Sequence, residues 1–109
     1  IAIKNNTDFS TQDLPATCSR KVVTNLLKDS LNFRGLVITD AMNMGGVVNV
    51  PQCGLKAVQA GCDMILMPVN EEKDIDDILH QMILDHEFKA QVYSSVKKIL
   101  RLKICLGLI

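Results

Sequence analysis

Asp40 is the residue of this chain best placed to do chemistry. It closes the run Gly35-Leu36-Val37-Ile38-Thr39-Asp40, in which four apolar or β-branched side chains lead directly to a carboxylate. Ala41-Met42-Asn43-Met44 and the glycine pair Gly45-Gly46 follow. A continuous apolar run bounded by glycine reads as a strand buried on both faces, as in parallel α/β sheets. The carboxyl ends of such strands are where α/β folds place ligand-binding and catalytic groups. A carboxylate there must be solvated, paired or used, because burying it alone is costly. The structural alternative is an Asp that caps the next turn.

The thiols offer less. Cys18, Cys53, Cys62 and Cys105 are widely spaced, with no C-x-x-C and no histidine in ligand spacing, so no zinc site is expected. Cys62 and Cys105 lie in apolar stretches and read as small core residues. At this density a disulfide framework is not expected, which favours a reducing compartment.

The elements that must hold Asp40 alternate between strand and helix signals. Ile1–Ile3 reads as a short strand, followed by a polar loop from Lys4 to Asp13. A helix begins near Ser19, a candidate N-cap, with Val22, Val23, Leu26 and Leu27 as its apolar stripe. Asn32-Phe33-Arg34-Gly35 turns into the strand ending at Asp40. A short helix over Gln52–Ala60 stops at Gly61. Cys62–Pro68 carries a second buried strand, closed by proline. Asn70 caps a helix whose Glu71 and Glu72 suit the dipole, and Ile75, Ile78, Leu79, Met82 and Ile83 follow helical spacing. A last helix spans about Lys89–Lys103, and its run of Lys97, Lys98, Arg101 and Lys103 reads as a solvated face. The order β-α-β-α-β-α-α implies a parallel sheet with right-handed crossovers. Three strands leave two open edges that a barrel or larger sheet would cover.

Composition narrows the partners. With 109 residues and 48% hydrophobic content, the chain forms one core. Twelve basic and twelve acidic side chains cancel, with no basic cluster interleaved with aromatics, so nucleic acid is not an expected partner. No apolar run approaches the roughly 18 residues of a membrane span. The chain begins inside an apparent strand without an initiator Met, and reads as a piece of a longer protein.

Four segments in order resemble glycoside hydrolase family 3. They are Leu14-Pro15-Ala16-Thr17-Cys18-Ser19, then Leu31-Asn32-Phe33-Arg34-Gly35-Leu36-Val37-Ile38-Thr39-Asp40-Ala41, then Ala60–Pro68, and finally Lys98-Ile99-Leu100-Arg101-Leu102-Lys103. Thr39-Asp40-Ala41-Met42-Asn43-Met44 looks most like the bacterial β-N-acetylhexosaminidase branch, since β-glucosidase relatives often carry Trp after that Asp. The resemblance implies that residues 1–109 are the C-terminal part of the family's N-terminal-type catalytic domain, the last three β/α units of a (β/α)8 TIM barrel. It implies Asp40 as nucleophile of a retaining reaction on a terminal β-N-acetylglucosaminide or β-glucoside. Its acid/base, a His on an upstream loop, and its sugar-binding residues lie upstream of this chain. No cofactor or metal is implied. The isolated chain is then expected to be inactive, and to self-associate or borrow the missing barrel half. The cysteine usage favours the bacterial cytoplasm for such a parent, with the periplasm as the alternative. The segment between Met44 and Gly61 is somewhat shorter than the family's usual loop.

The chemistry suits the position. A retaining glycosidase needs a carboxylate to attack the anomeric carbon and a second group to protonate the leaving oxygen. A solvated strand end keeps that carboxylate charged. In a barrel the helices lie outside the strands, so His80 and His86 are expected at the surface rather than as substitute acids. Asp63 opens its strand, opposite the chemistry, and reads as structural. Met42 and Met44 read as packing residues ahead of a sugar-contacting role. Two alternatives remain. One is a receiver-like phosphoacceptor domain of two-component signalling, although Lys4-Asn5-Asn6 replaces the acidic pair needed for Mg²⁺ and Met67-Pro68-Val69 occupies the place of the receiver lysine. The other is a non-catalytic structural fragment.

Overall fold

A computed structural model of the protein describes residues 14–45 and 49–109. The expected strand at Ile1–Ile3 and the loop to Asp13 lie outside the described residues. A 3₁₀ turn (Ala16–Cys18) and a helix (Lys21–Ser30) lead to strand β1 (Ile38–Ala41). Helix α1 (Cys53–Ala60), strand β2 (Met64–Leu66), and helices α2 (Glu71–Leu84) and α3 (His86–Cys105) follow. β1 and β2 pair in parallel across α1, as the alternation of signals requires.

The helix Lys21–Ser30 is wound wider than an α-helix: the Leu31 amide bonds five residues back to Leu26. Ser19 does not act as the expected side-chain cap. It is buried behind the preceding turn, and its carbonyl takes the amides of Val22 and Val23. Helix α1 ends as expected at Gly61, whose φ of 121° is open to glycine. The Gly61 and Cys62 amides bond back to Val58 and Ala57, a Schellman ending.

Four side chains complete that helix end. Gln91 Nε2 donates to the Val58 carbonyl, Arg20 Nη1 to Gln59 at 2.8 Å, Thr24 Oγ1 to Ala60 at 2.6 Å and Lys28 Nζ to Gly61. The carbonyls a helix end leaves over are thus all used, and two of the donors are cations at the negative pole of the dipole. Spacing by four lays Arg20, Thr24 and Lys28 along one side of their helix. A Cβ on Gly61 would come within 2.6 Å of the Thr24 hydroxyl, so this packing excludes any larger residue.

Helix α2 starts on Asn70, whose side chain accepts from the Lys73 amide at 3.1 Å, as expected. The last helix begins three residues earlier than its apolar pattern implies. Asp85 caps it by accepting from the Glu87 and Phe88 amides.

The core lies on one side of the sheet. Val23, Met42, Ala57, Ala60 and Cys62 form one cluster, and Leu55, Val58 and Phe88 a second. Ile65 touches both, so β2 joins them. The other side of the sheet is bare. Ile38 is 55% exposed, Met64 37% and Leu66 46%. This corrects the expectation of strands buried on both faces: among the described residues, helices cover one face only and no second layer covers the other. Cys105 is likewise exposed at the end of α3 rather than in the core, because the whole last turn of that helix is exposed.

Candidate active site

Asp40 sits where β1 departs from regular pairing. Ile38 pairs with Met64 and Ala41 with Leu66, so Thr39 and Asp40 together oppose Ile65. This is a bulge, with one extra residue on β1. Thr39 explains it: its buried hydroxyl accepts the Leu66 amide at 2.9 Å, taking the place of a backbone acceptor. The ladder resumes where the Met42 amide bonds to the Leu66 carbonyl. Thr39 is buried toward the core, whereas Asp40 beside it in the bulge is exposed. At the end of β2, Met67 takes a left-handed φ of 48° and turns the chain away sharply.

The Asp40 carboxylate is exposed and accepts a hydrogen bond from the following amide, Ala41, at 2.8 Å. Among the described residues no Lys or Arg stands within ion-pair distance of it. A carboxylate oxygen in this setting is available to a ligand.

Asp63 is the opposite case, and structural as expected. Its Oδ2 accepts the Val37 amide at 2.9 Å, and its Oδ1 accepts the Ser95 hydroxyl at 2.6 Å. Lys98 Nζ stands 3.7 Å away, and the Asp63 side chain is only 1% exposed. These bonds tie the entrance of β1 to α3. The sequence hints at Asp63 only through its place before a buried strand, since Ser95 and Lys98 lie over thirty residues away.

The structure does not gather the other candidates around Asp40. His80 and His86 are exposed on α2 and at the start of α3. Met42 is fully buried in the core, whereas Met44 is half exposed on the turn after β1. Cys18 and Cys62 are buried free thiols that bond weakly to the carbonyls of Cys53 and Thr17. Burial raises both, and Cys62 reaches about 11, which leaves it an inert core residue. Burial also lowers Lys28, with Asp63 opposing that change. No group of His, Cys, Asp and Glu among the described residues could hold a metal ion, and no helix described is long and apolar enough to cross a membrane.

Comparison with known proteins decides the family. Residues 4–102 match the glycosyl hydrolase family 3 N terminal domain. The chain belongs to this family. A Cellulomonas fimi protein named beta-N-acetylglucosaminidase/beta-glucosidase is 33% identical over 99 residues, covering 87% of this chain and 17% of its own length. A beta-hexosaminidase of Methylobacillus flagellatus is 34% identical over 74 residues, covering 65% of this chain and 21% of its own. The crystal structure of a beta-N-acetylhexosaminidase from Beutenbergia cavernae superposes with a TM-score of 0.71 at 27% identity. That superposition covers 82% of this chain and 28% of the other. The chain thus spans between a sixth and a third of the length of these relatives. These matches are consistent with an α/β fold, and nothing in them supports the receiver alternative.

Proposed function

We propose that this chain is part of a retaining glycosidase acting on terminal β-linked N-acetylglucosamine, with Asp40 as its nucleophile. One observation carries the reading. Asp40 is exposed at a bulge near the carboxyl end of a parallel strand, and no Lys or Arg among the described residues pairs with it. Its role is to attack the anomeric carbon, while a second group protonates the leaving oxygen. That acid, a His by resemblance to the family, lies upstream of these 109 residues. The Cellulomonas fimi relative, named for both beta-N-acetylglucosaminidase and beta-glucosidase, supports this substrate class and keeps a β-glucoside as the alternative.

On the same reading the chain supplies the last three β/α units of a (β/α)8 barrel. The bare face bearing Ile38, Met64 and Leu66 is then the barrel interior, normally filled by layers of side chains from the other strands. Alone, the chain associates with itself or recruits the missing strands, and does not turn over substrate. In the intact parent, Asp40→Asn keeps the shape and removes the attacking charge. A fluorosugar that traps the glycosyl-enzyme should label the peptide holding Asp40, as read by mass spectrometry. Label on another carboxylate, or near-normal turnover of an aryl β-N-acetylglucosaminide by the variant, overturns the assignment.

A further inference from the structure

Arg34, on the turn that enters β1, faces Lys98 and Arg101 of α3 across an open cleft of about 280 Å³. Gly35, Leu36 and Leu102 complete the lining, and no carboxylate is among these residues. Of the three cations only Lys98 has a carboxylate nearby, Asp63, which stands behind it at 3.7 Å. Neither Arg34 nor Arg101 makes a hydrogen bond or ion pair with any described residue. Two arginines unpaired among the described residues and one lysine shared with Asp63 thus line one cleft from two elements far apart in sequence. The cleft lies at the amino end of β1, away from Asp40.

We propose that this cleft binds a phosphate group. With Lys98 offset by Asp63, the site carries about two uncompensated positive charges, which match a phosphate dianion better than a single carboxylate. Guanidinium forks bind such an anion through paired N–H donors, and an ammonium adds a point charge. Leu36 and Leu102 offer an apolar floor for a carbon frame attached to the phosphate. The basic residues of α3, read from sequence as a solvated face, acquire this role only because Arg34 stands opposite them.

The test is calorimetric titration of the full chain with inorganic phosphate and with phenyl phosphate, against sodium chloride at matched ionic strength. Both phosphates should bind saturably and more weakly as salt rises. Arg34→Gln and Arg101→Gln should each weaken binding about tenfold, with an unchanged circular dichroism spectrum. Tighter binding of phenyl phosphate assigns the site to a phosphomonoester, and equal binding assigns it to free phosphate. A measurement without variants is protection from phenylglyoxal, an arginine reagent: phosphate should shield Arg34 and Arg101 but not Arg20. A linear response equal to that of chloride, or binding unchanged in both variants, overturns the proposal. So does shielding of Arg20 equal to that of the other two.

Discussion

Asp40 and Asp63 lie at opposite ends of one pair of strands, and the chain treats their carboxylates in opposite ways. Asp63 has an amide, a hydroxyl and an ammonium around it, and almost no water. Asp40 has one bond to its own neighbour and is open to solvent. A buried carboxylate with satisfied oxygens holds elements together, and its removal is read in stability. An open carboxylate at a strand end contributes little to folding, and its removal is read in activity. On the proposed function, the contrast separates scaffold from chemistry.

The largest expected effect is on the open side. In the intact parent, Asp40→Asn should lower kcat by about three orders of magnitude or more while leaving the unfolding midpoint in place. A variant that unfolds early would place Asp40 with Asp63, in the scaffold. Asp63→Ala should do the reverse, destabilising the fold by about 2–3 kcal/mol in denaturant titration, because it strands the Val37 amide, the Ser95 hydroxyl and Lys98. Ser95→Ala, which removes one of these bonds, should cost about 1 kcal/mol.

What the sequence made legible follows from range. The strand ending at Asp40, the stop at Gly61 and the cap at Asn70 are local signals, and each appears where its residues imply. The burial of Cys62 follows from its apolar stretch, and Met42 packs in the core as its residue type suggests. What was hidden depends on distant partners. The bulge at Thr39 requires the Leu66 amide, and the end of α1 requires Arg20, Thr24, Lys28 and Gln91. No periodicity shows such pairings. The run at Leu36–Thr39 reads as doubly buried because a strand covered on both faces and one covered on a single face share the same composition, and only tertiary neighbours distinguish them. For the site, position and residue type singled out Asp40, while the contrast with Asp63 needed coordinates.

The buried thiol extends the comparison to pH. Cys62 is raised from 9.0 to about 11 by burial. Between those values the native state keeps a proton that the unfolded chain has lost. Its contribution is therefore present below pH 9 and disappears as pH rises through 11, amounting to about 2–3 kcal/mol. Lys28 works in the opposite sense: its lowered pKa means that the unfolded chain holds the extra proton, so stability rises as both forms lose theirs. The difference between wild type and Cys62→Ala isolates the thiol. Denaturant titrations at pH 8 and 11 should show the wild type losing more stability than the variant. Equal losses would mean the thiol is solvated in the native state.

The smallest effect belongs to the shortest ion pair. Lys73 Nζ lies 2.7 Å from Asp77, closer than Lys98 to Asp63 at 3.7 Å, yet the Lys73 side chain is 56% exposed. This hydrogen bond raises the Lys73 pKa. Water screens the pair, however, and ordering two flexible side chains offsets much of the attraction. An i,i+4 contact within one helix also joins no two elements, whereas Asp63 joins β1 to α3. Lys73→Ala should leave the thermal midpoint unchanged within error, at low salt and at high. Asp63→Ala should lower it at both, since its bonds to Val37 and Ser95 need no cation. A loss for Lys73→Ala rivalling that of Asp63→Ala would show that distance, rather than burial and connectivity, ranks the carboxylates of this chain.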